Sequence, residues 1–287
     1  MRTIRSAMPD PRLRQFVRCF AQREMSCRNL WLAQTSLASL EHILAFCFGD
    51  LPVMRYSSGK TAPLSRINAV GTQTRSLGCA YFTGSSLAFG IFLAPFACWR
   101  LFGIPPNQLV DQDFEGRQVF GPWITELWLK LAECRTFGDR INVANKTLLP
   151  FAANANPPTQ TMVAGRNLLQ LDRNTRIPQV ARESYMSLRN FQRKFAGEIG
   201  IAPKLFTRVG RFQLALDMKR AHGSNWLNVA HALGYFDQMH MVKDFQAFGG
   251  DSPSHLIQKC GDFQPWSIGT PRSINRITTT EMPSGSL

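Results

Sequence analysis

Two stretches in the C-terminal part of the chain repeat one order of residues: a small residue, a short turn, and a helix with an apolar stripe. In the second stretch Ala230 is followed four positions later by Gly234. Asp237 then stands where an N-cap belongs, ahead of Met241 and Phe245 at helical spacing. Two helices that cross steeply need a small residue at the contact and a residue that tolerates positive φ in the turn. This spacing predicts a helix-turn-helix unit.

The first copy of the arrangement begins at Ala181. Tyr185 stands where the second copy has its glycine, so this turn is less favourable. Ser187 is the expected N-cap of a helix over SLRNFQRKFAGEIG, in which Phe191 and Phe195 share the apolar stripe. The region therefore contains a second predicted unit with long polar side chains on the outside of its second helix.

A longer helix is predicted between the two copies, over PKLFTRVGRFQLALDMKRA, with Pro203 at its start and Gly223 after its end. A helix of about 17 residues spans roughly 26 Å. Adding the width of the flanking helices brings the two outer helices to about 34 Å apart, which is one turn of B-DNA. One chain could then read two adjacent major-groove segments.

These motifs resemble the DNA-binding domain of AraC/XylS-type transcription regulators over about 100 residues, 160–258. The resemblance is carried by SLRNFQRKF (187–195), by the helix with Pro203, Lys204, Phe206 and Arg211, by AHALGYFDQ (230–238), by Phe245, and by GDSP (250–253). The N-terminal part also resembles these regulators, in PDPRLRQFVRCF, in AVGTQTR (69–75), and in the FACWRLFGIPP helix-turn.

The resemblance implies which side chains contact DNA. The expected base contacts are the outward residues of the two outer helices, Arg189, Gln192 and Arg193 in the first and Gln238, Met239, His240 and Lys243 in the second. Arginine can bond guanine bidentately, and glutamine suits adenine. The expected phosphate contacts, which position the domain without reading sequence, are Ser187, Lys204, Arg208 and Arg211.

The second unit departs from the family pattern, which has Ser-His-Phe where this chain has Met239-His240-Met241. Met239 can give a thymine methyl an apolar contact but no strong hydrogen bond. Asp244 would repel phosphates if it faced them. We therefore expect the first unit to supply most of the specificity. For His240, a base contact and a capping or packing role both remain open.

The N-terminal part predicts a small β-rich body followed by a helical pair, so the whole chain is expected to be α+β. Short strands joined by turns are expected in LEHILAFCF (40–48) and CAYFTGSSLAFGIFLA (79–94), and helices in PWITELWLKLAECRT and DRINVANKTLLPF. The polar, Pro-paired segment AANANPPTQ predicts a linker. The expected divisions are a sensing or dimerisation domain (1–151), the linker (152–160), the DNA-binding domain (161–259) and a disordered tail (260–287).

The chain is strongly basic, with 33 Lys and Arg against 19 Asp and Glu, a formal charge of +14 and a pI near 10.0. Such a charge favours a polyanion, either nucleic acid or an anionic membrane surface. The most apolar run, 87–99, contains Pro95 and is shorter than the roughly 20 residues of a membrane-spanning helix. No secretory signal is visible, so a cytoplasmic protein without a membrane partner is expected.

An enzyme is not expected, because the sequence has no G-x-S-x-G, P-loop or H-E-x-x-H motif. A DNA-repair alkyltransferase joined to such a domain would need several N-terminal cysteines, and Cys19 and Cys27 are too few. The seven cysteines are scattered without a C-x-x-C pair, so neither a metal nor another cofactor is expected, although a redox-sensing thiol stays open. Trp99, Trp123 and Trp128 are expected in the core rather than around a ligand.

The predicted function is sequence-specific DNA binding by a transcription regulator. As the resemblance implies, it would act as an activator at promoter DNA through contact with RNA polymerase. The alternative is an architectural protein that binds DNA with little regard to sequence and has no effector. The sequence identifies no small-molecule effector, and it leaves open whether the chain forms a homodimer.

Overall fold

The computed structural model describes residues 2–169, 176–223 and 225–260. Residues 2–153, here called the sheet region, form an antiparallel sheet with helices, and residues 160–260, the helical region, are helical throughout their described elements. The predicted α+β organisation is confirmed. Apart from residue 260, the predicted disordered tail lies outside the described residues.

The strands of the described residues are β1 (Arg2–Ala7), β2 (Val17–Thr35), β3 (His42–Gly49), β4 (Val53–Tyr56), β5 (Thr61–Pro63), β6 (Ile67–Val70), β7 (Gly78–Leu93) and β8 (Asp113–Glu115). The α-helices of the sheet region are α1 (Ala97–Phe102), α2 (Gly116–Phe120), α3 (Trp123–Glu133) and α4 (Phe137–Ala153). Those of the helical region are α5 (Gln160–Leu169), α6 (Ile177–Glu183), α7 (Leu188–Ile199), α8 (Pro203–His222), α9 (Trp226–Ala232), α10 (Gln238–Gly249) and α11 (Pro253–Cys260).

The sheet has the order β1-β2-β7-β3-β6-β8, with β4 pairing to β5 and β7, and each of these pairs is antiparallel. The prediction of short strands in 79–94 was wrong, because β7 runs without interruption over this stretch. Gly84 has a φ of 66°, and a Cβ there would lie 2.2 Å from Asp50 Oδ2. Glycine thus admits the Asp50 carboxylate, which accepts a hydrogen bond from Ser85 N at 2.8 Å.

Helices α3 and α4, both predicted, pack their apolar stripes against the sheet and share its core. Ile124, Leu127 and Leu131 of α3 are buried, as are Ala144 and Leu148 of α4. The tryptophans lie against other apolar groups, as expected. Trp123 contacts the rings of Phe102, Phe120 and Phe151, Trp128 stacks on Phe48, and Trp99 packs against the core of the helical region.

The helical region has one aromatic core around α8. Phe195 of α7 meets Phe206 edge-on at 5.3 Å between ring centroids, and Phe245 of α10 meets Phe212 in the same way at 4.9 Å. The long helix predicted between the two units is 20 residues long and ends at Gly223, which is left-handed. Helix α8 is therefore the shared support of both units. No helix in the described ranges is long and apolar enough to cross a membrane.

The sheet region and the helical region are in contact through the segment just before β3, residues 37–41, here called the bridging segment. Its Ala38 N donates to Phe248 O of α10 at 2.9 Å, and its Leu40 N donates to Gln213 Oε1 of α8 at 3.2 Å. Gln213 Nε2 in turn donates to Ser39 Oγ at 3.3 Å. The sheet therefore binds directly to the helices that carry the second unit.

Candidate nucleic-acid interface

Helix α7 presents a polar face to solvent because its apolar stripe is buried in the core. Ser187 accepts a hydrogen bond from Asn190 N and fixes the start of the helix, as predicted. Phe191 and Phe195 have no exposed surface. With these positions turned inward, the three predicted base-contacting residues are exposed: Arg189, Gln192 and Arg193. Arg193 Nη2 donates an exposed hydrogen bond to Asn190 Oδ1 of the same helix, at 3.1 Å.

Helix α10 is built in the same way. Asp237 is its N-cap and accepts from His240 N, as predicted, while Met241, Phe245 and Phe248 are buried. The four predicted base-contacting residues of this helix are exposed: Gln238, Met239, His240 and Lys243. Helices α7 and α10 are here called the reading helices, α6 with α7 the first unit, and α9 with α10 the second unit.

The turns of the two units have the same backbone geometry. Tyr185 and Gly234 both adopt left-handed φ values, 54° and 69°. In each unit the next residue donates its N–H to the carbonyl of the alanine five positions earlier, at 2.9 Å to Ala181 and 3.0 Å to Ala230. The predicted duplication therefore extends to individual hydrogen bonds, although one turn uses tyrosine where glycine would be relaxed.

The shared core positions define which residues correspond between the reading helices. The pairing of Phe195 with Phe245, and of the N-cap serine with the N-cap aspartate, places Arg193 at the position of Lys243 and Lys194 at the position of Asp244. Lys194 is exposed, whereas Asp244 has no exposed surface. The acid in the second unit is thus internal and does not face the solvent where DNA would bind.

Asp244 is held by an arginine that the sequence had suggested as a phosphate contact. Arg208 donates from Nε and Nη2 to Asp244 Oδ1 at 3.0 and 2.6 Å, and its guanidinium lies 5.1 Å from the centroid of Phe248. The Arg208 side chain is 35% exposed. Part of the guanidinium therefore reaches solvent while the rest fixes α8 to α10. Nothing in a single sequence reveals this pairing, because the two residues are far apart in the chain.

The other predicted phosphate contacts differ in how far their polar groups are exposed to solvent. Lys204 is exposed in the first turn of α8. Arg211 is half-buried, with its guanidinium 5.0 Å from the ring centroid of Tyr235, whose pKa is raised by burial. The Ser187 hydroxyl accepts the capping bond described above, and it retains a donor hydrogen.

His240 combines the two roles that the sequence left open. Its backbone N–H donates to Asp237 Oδ1 at 2.6 Å, so it takes part in the cap. Its ring meets Tyr235 edge-on at 5.7 Å between centroids, yet the residue is exposed. The imidazole is therefore positioned by packing and still reaches solvent.

The sheet region contacts the C-terminal ends of both reading helices. At the end of α10 this contact is the hydrogen bond from Ala38 to Phe248. At the end of α7, Gly200 approaches Val110, which follows the 3-10 helix Pro106–Leu109, so closely that a Cβ would lie 2.9 Å from the valine side chain. The predicted base contacts all lie in the first two turns of these helices, so docking of the sheet leaves them uncovered.

A cavity inside the sheet region was not foreseen from the sequence, which offered no ligand signal in residues 10–151. Its volume is about 170 Å³, and it is lined by apolar residues such as Ile43, Met54 and Phe82 together with polar ones such as Arg23 and Asn68. The bridging segment also forms part of the wall, through Leu37, Ala38, Ser39 and Glu41. The alternation of strand residues could have indicated a two-sided sheet, but not this cavity.

Charged groups are buried beside the bridging segment. Glu41 accepts a hydrogen bond from Arg18 Nη2 at 3.1 Å and forms an ion pair with the Arg18 guanidinium, and both side chains are almost fully buried. Burial raises the pKa of Glu41 to about 7, although the Arg18 guanidinium acts in the opposite direction. Burial also lowers the pKa of His42 to about 4, and the His42 Nε2 atom lies 3.3 Å from Thr72 Oγ1. Asp217 of α8 is near enough to both Arg18 and Glu41 to act on them electrostatically.

Known proteins resemble this chain in one family match and in several distant structural similarities. The sequence profile of a family described as a helix-turn-helix domain matches residues 180–259, which contain α7 to α10 and the last residues of α6. Among solved structures, ToxT from Vibrio cholerae O395 is 11% identical, with 90% of this chain and 98% of that chain covered and a TM-score of 0.47. Wild-type ToxT from Vibrio cholerae strain SCE256, bound to an unsaturated fatty acid, is 5% identical, with 89% and 95% covered and a TM-score of 0.48. The AraC-like transcriptional activator CuxR is 11% identical, with 81% and 91% covered and a TM-score of 0.29. No curated protein sequence matches the chain.

The family assignment rests on the helix-turn-helix match and on the two units that the fold displays. The match covers the predicted motifs from Ser187 to Pro253, and the described turns, caps and cores belong to those motifs. Residues 180–259 are therefore a helix-turn-helix domain of the AraC/XylS type, and the chain is a DNA-binding transcription regulator.

Proposed function

We propose that the protein is a sequence-specific transcription activator whose two reading helices enter successive major-groove segments of one duplex. The observation that carries the proposal is the exposure of hydrogen-bonding side chains on the first two turns of both helices. In helix-turn-helix proteins these are the turns that meet base edges. Helix α8 supports both units, and its 20 residues correspond to about 30 Å of helix.

The first unit is proposed to read more of the sequence than the second. Arg189 and Arg193 can each donate two hydrogen bonds to guanine, and Gln192 can bond adenine bidentately. In the second unit, Gln238 and Lys243 supply the corresponding hydrogen bonds, while Met239 offers only apolar contact. The exposed His240 ring is proposed as a weaker base contact, since packing against Tyr235 limits its movement.

Phosphate contacts are proposed to position both units without reading sequence. Lys204 and the Ser187 hydroxyl are exposed beside α7. Arg208 and Arg211 are proposed to donate to phosphates only from the parts of their guanidinium groups that are free of Asp244 and Tyr235. Their main contribution is then to hold α8 and the second unit together, with the phosphate contact as a secondary role.

The two-segment reading can be tested by selecting duplexes that the full chain binds from a random pool. We expect a bipartite site, and we expect insertion of five base pairs between its halves to weaken binding by more than tenfold, because half a turn of DNA moves one segment to the opposite face. Insertion of the same length outside the site is the control. Equal binding to all sequences, with a steep dependence on salt, would instead favour the architectural alternative.

The sheet region is proposed to sense a small molecule in its cavity. The argument is that the bridging segment is at once part of the cavity wall and the partner of α8 and α10. A ligand that displaced Leu37 or Ser39 would therefore strain the hydrogen bonds to Gln213 and Phe248. Such coupling requires a ligand that binds the two arrangements with different affinity.

A cavity-filling substitution tests this sensing role. Ala45 lines the cavity, so Ala45→Phe should abolish any change in DNA affinity that a small-molecule cell extract produces with the unaltered protein. Ala33→Phe, at an exposed position of β2, is the matched control. If the Ala45→Phe protein still responds to the extract, the cavity is not the sensing site.

The domain boundaries are part of the proposal. Residues 154–159, between α4 and α5, fall within the proposed linker. A fragment of residues 158–260 is expected to fold and to bind DNA, because its aromatic core is formed largely within the helical region. A fragment that is unfolded by circular dichroism would contradict the boundary. Activation through RNA polymerase would be tested separately with a promoter reporter, in which a repressor would lower transcription.

A further inference from the structure

In the described part of the chain, four of the seven exposed large hydrophobic side chains lie in two pairs, one pair at the start of each reading helix. The three most exposed are Tyr185 (93%), Phe236 (92%) and Met239 (62%), and Leu188 is 40% exposed. Each of the four lies within two residues of the N-cap of α7 or α10. Single exposed apolar residues are ordinary on protein surfaces, whereas a group of them marks a contact surface. We call these four residues the apolar collar.

Tyr185 adds an independent sign of function, because its backbone is strained. Two non-glycine residues have positive φ in the described ranges, Asp111 and Tyr185. Asp111 is held by its carboxylate, which accepts hydrogen bonds from the backbone and hydroxyl of Thr74. The Tyr185 side chain is 93% exposed, so packing within the described residues does not offset the strain. Backbone strain that side-chain packing does not offset is typical of a residue that serves a function.

The position of the collar points to DNA as its partner. The N-terminal ends of reading helices approach the bases, and the residues just before them lie beside the sugar-phosphate backbone. The collar alternates with the exposed polar residues Arg189, Gln238 and Lys243, which would face the same groove. The apolar groups available there are the C5 methyl of thymine and the carbons of deoxyribose.

We propose that the apolar collar binds thymine methyl groups and deoxyribose at both ends of the recognised site. Leu188 and Met239, within the first turn of each reading helix, contact the methyl groups. Tyr185 and Phe236, in the turns, cover the neighbouring sugars, and the tyrosine hydroxyl donates to a phosphate oxygen. This inference rests on the proposed function, and it specifies that each half of the bipartite site contains thymine opposite the N-terminus of its reading helix.

Replacement of thymine by uracil tests the methyl contact, because it removes a single methyl group and leaves base pairing intact. In the duplex selected by the full chain, we expect uracil at the thymine facing α10 to weaken binding by about three- to fivefold. Met239→Ala should weaken binding by a similar factor and remove the difference between the two bases. The same should hold for Leu188→Ala and the thymine facing α7. A selected site without thymine at these positions, or an unaltered uracil effect in the variants, would overturn the proposal.

Tyr185→Gly separates the DNA contact from a structural role. Glycine relieves the positive φ, so the melting temperature should stay the same or rise. DNA affinity should nevertheless fall by about three- to tenfold. The slope of log affinity against log salt should not change, since no charge is removed. Tyr185→Phe keeps the ring and should recover most but not all of the affinity. Unchanged affinity of Tyr185→Gly contradicts the proposal.

Two further variants distinguish this proposal from the proposed function. Leu129→Ala removes a similarly exposed apolar side chain from α3 in the sheet region and should leave DNA affinity unchanged. If Arg193→Ala weakens binding while the collar variants do not, DNA reading stands and the collar proposal fails. If the unaltered protein binds no selected duplex, both fail. Collar variants that bind DNA normally but no longer activate a promoter reporter would assign the surface to a protein partner and overturn the DNA contact.

Discussion

The two helix-turn-helix units have the same backbone plan but differ in what fixes them. The first unit has a strained tyrosine in its turn, three exposed base-reading candidates and a lysine at the position where the second unit buries an aspartate. The second unit has a relaxed glycine turn, a buried ion pair to α8 and a backbone hydrogen bond to the bridging segment. We propose that the first unit reads more of the DNA sequence and that the second receives a signal from the sheet.

Removal of Asp244 should have the largest effect on this comparison. Asp244→Ala leaves the Arg208 guanidinium without its partner and takes away a link between α8 and α10. Loss of one partner of a buried pair typically costs about 3 to 5 kcal/mol, and partial exposure of Arg208 reduces the expected loss of unfolding free energy to about 2 to 3 kcal/mol. Denaturant unfolding measures it.

Lys194→Ala is the matched control for this prediction, because Lys194 occupies the corresponding position in the first unit and is exposed. It should change the unfolding free energy by less than about 0.5 kcal/mol. Equal losses in the two variants would mean that the units are held in the same way.

Base reading should be weighted toward the first unit. Arg193→Ala is expected to reduce specific binding by about 1 to 3 kcal/mol and to relax the preference at one base position. Lys243→Ala, at the corresponding position of α10, should weaken binding to all sequences more evenly, because lysine acts as a point charge rather than a bidentate donor. Binding curves on the selected site and on single-base variants measure both. The reverse pattern would assign the reading role to the second unit.

The bridging segment should affect the second unit more than the first. Gln213→Leu removes the side-chain bonds to Leu40 N and Ser39 Oγ and should cost about 1 to 2 kcal/mol, because a buried donor loses its acceptor. Amide hydrogen exchange should rise in the last turns of α10 and change little in α7. Gln246→Leu, on the exposed side of α10, is the control. Uniform changes in both reading helices would argue against selective coupling.

A smaller effect is expected from pH. Burial lowers the pKa of His42 from its usual 6.5 to about 4, so the imidazole binds a proton more readily in the unfolded chain than in the folded one. The free energy of unfolding therefore falls as the pH drops below 6.5. Burial raises the pKa of Glu41 from its usual 4.5 to about 7, so the folded chain binds the proton more readily, and stability falls as the pH rises between these values. The two contributions oppose each other.

Two variants separate these contributions between pH 8 and pH 6. On acidification, the unfolding free energy of the unaltered protein should fall by about 1 kcal/mol more than that of His42→Gln. It should rise by about 1 kcal/mol when the change in Glu41→Gln is taken as the reference. Thermal unfolding at several pH values measures both. Parallel profiles for all three proteins would contradict the assigned pKa directions. Amide hydrogen exchange in α10 should follow these pH-dependent changes in stability more closely than amide hydrogen exchange in α7.

Local rules made much of the helical region predictable. Ser187 and Asp237 are N-caps, Gly223 ends α8, and the inward positions Phe195 and Phe245 have no exposed surface. Each of these follows from a helical period or a terminal residue preference, which acts over a few positions in the chain. The expected helices of the sheet region follow for the same reason. Strand lengths were less predictable, because β7 continues through Gly84 at a point where the distant Asp50 carboxylate accepts a hydrogen bond from Ser85 N.

The sequence by itself determined the two units, the faces of their reading helices and the basic character that suits DNA, since these depend on periodicity, caps and composition. Only the tertiary structure decided that Arg208 pairs with Asp244, that residues 37–41 join a cavity to α8 and α10, and that Tyr185 has a strained backbone and an exposed side chain. These features depend on which distant residues meet and how much water they lose. A periodic pattern carries no information on either, because contact energies and burial arise only once the chain has folded.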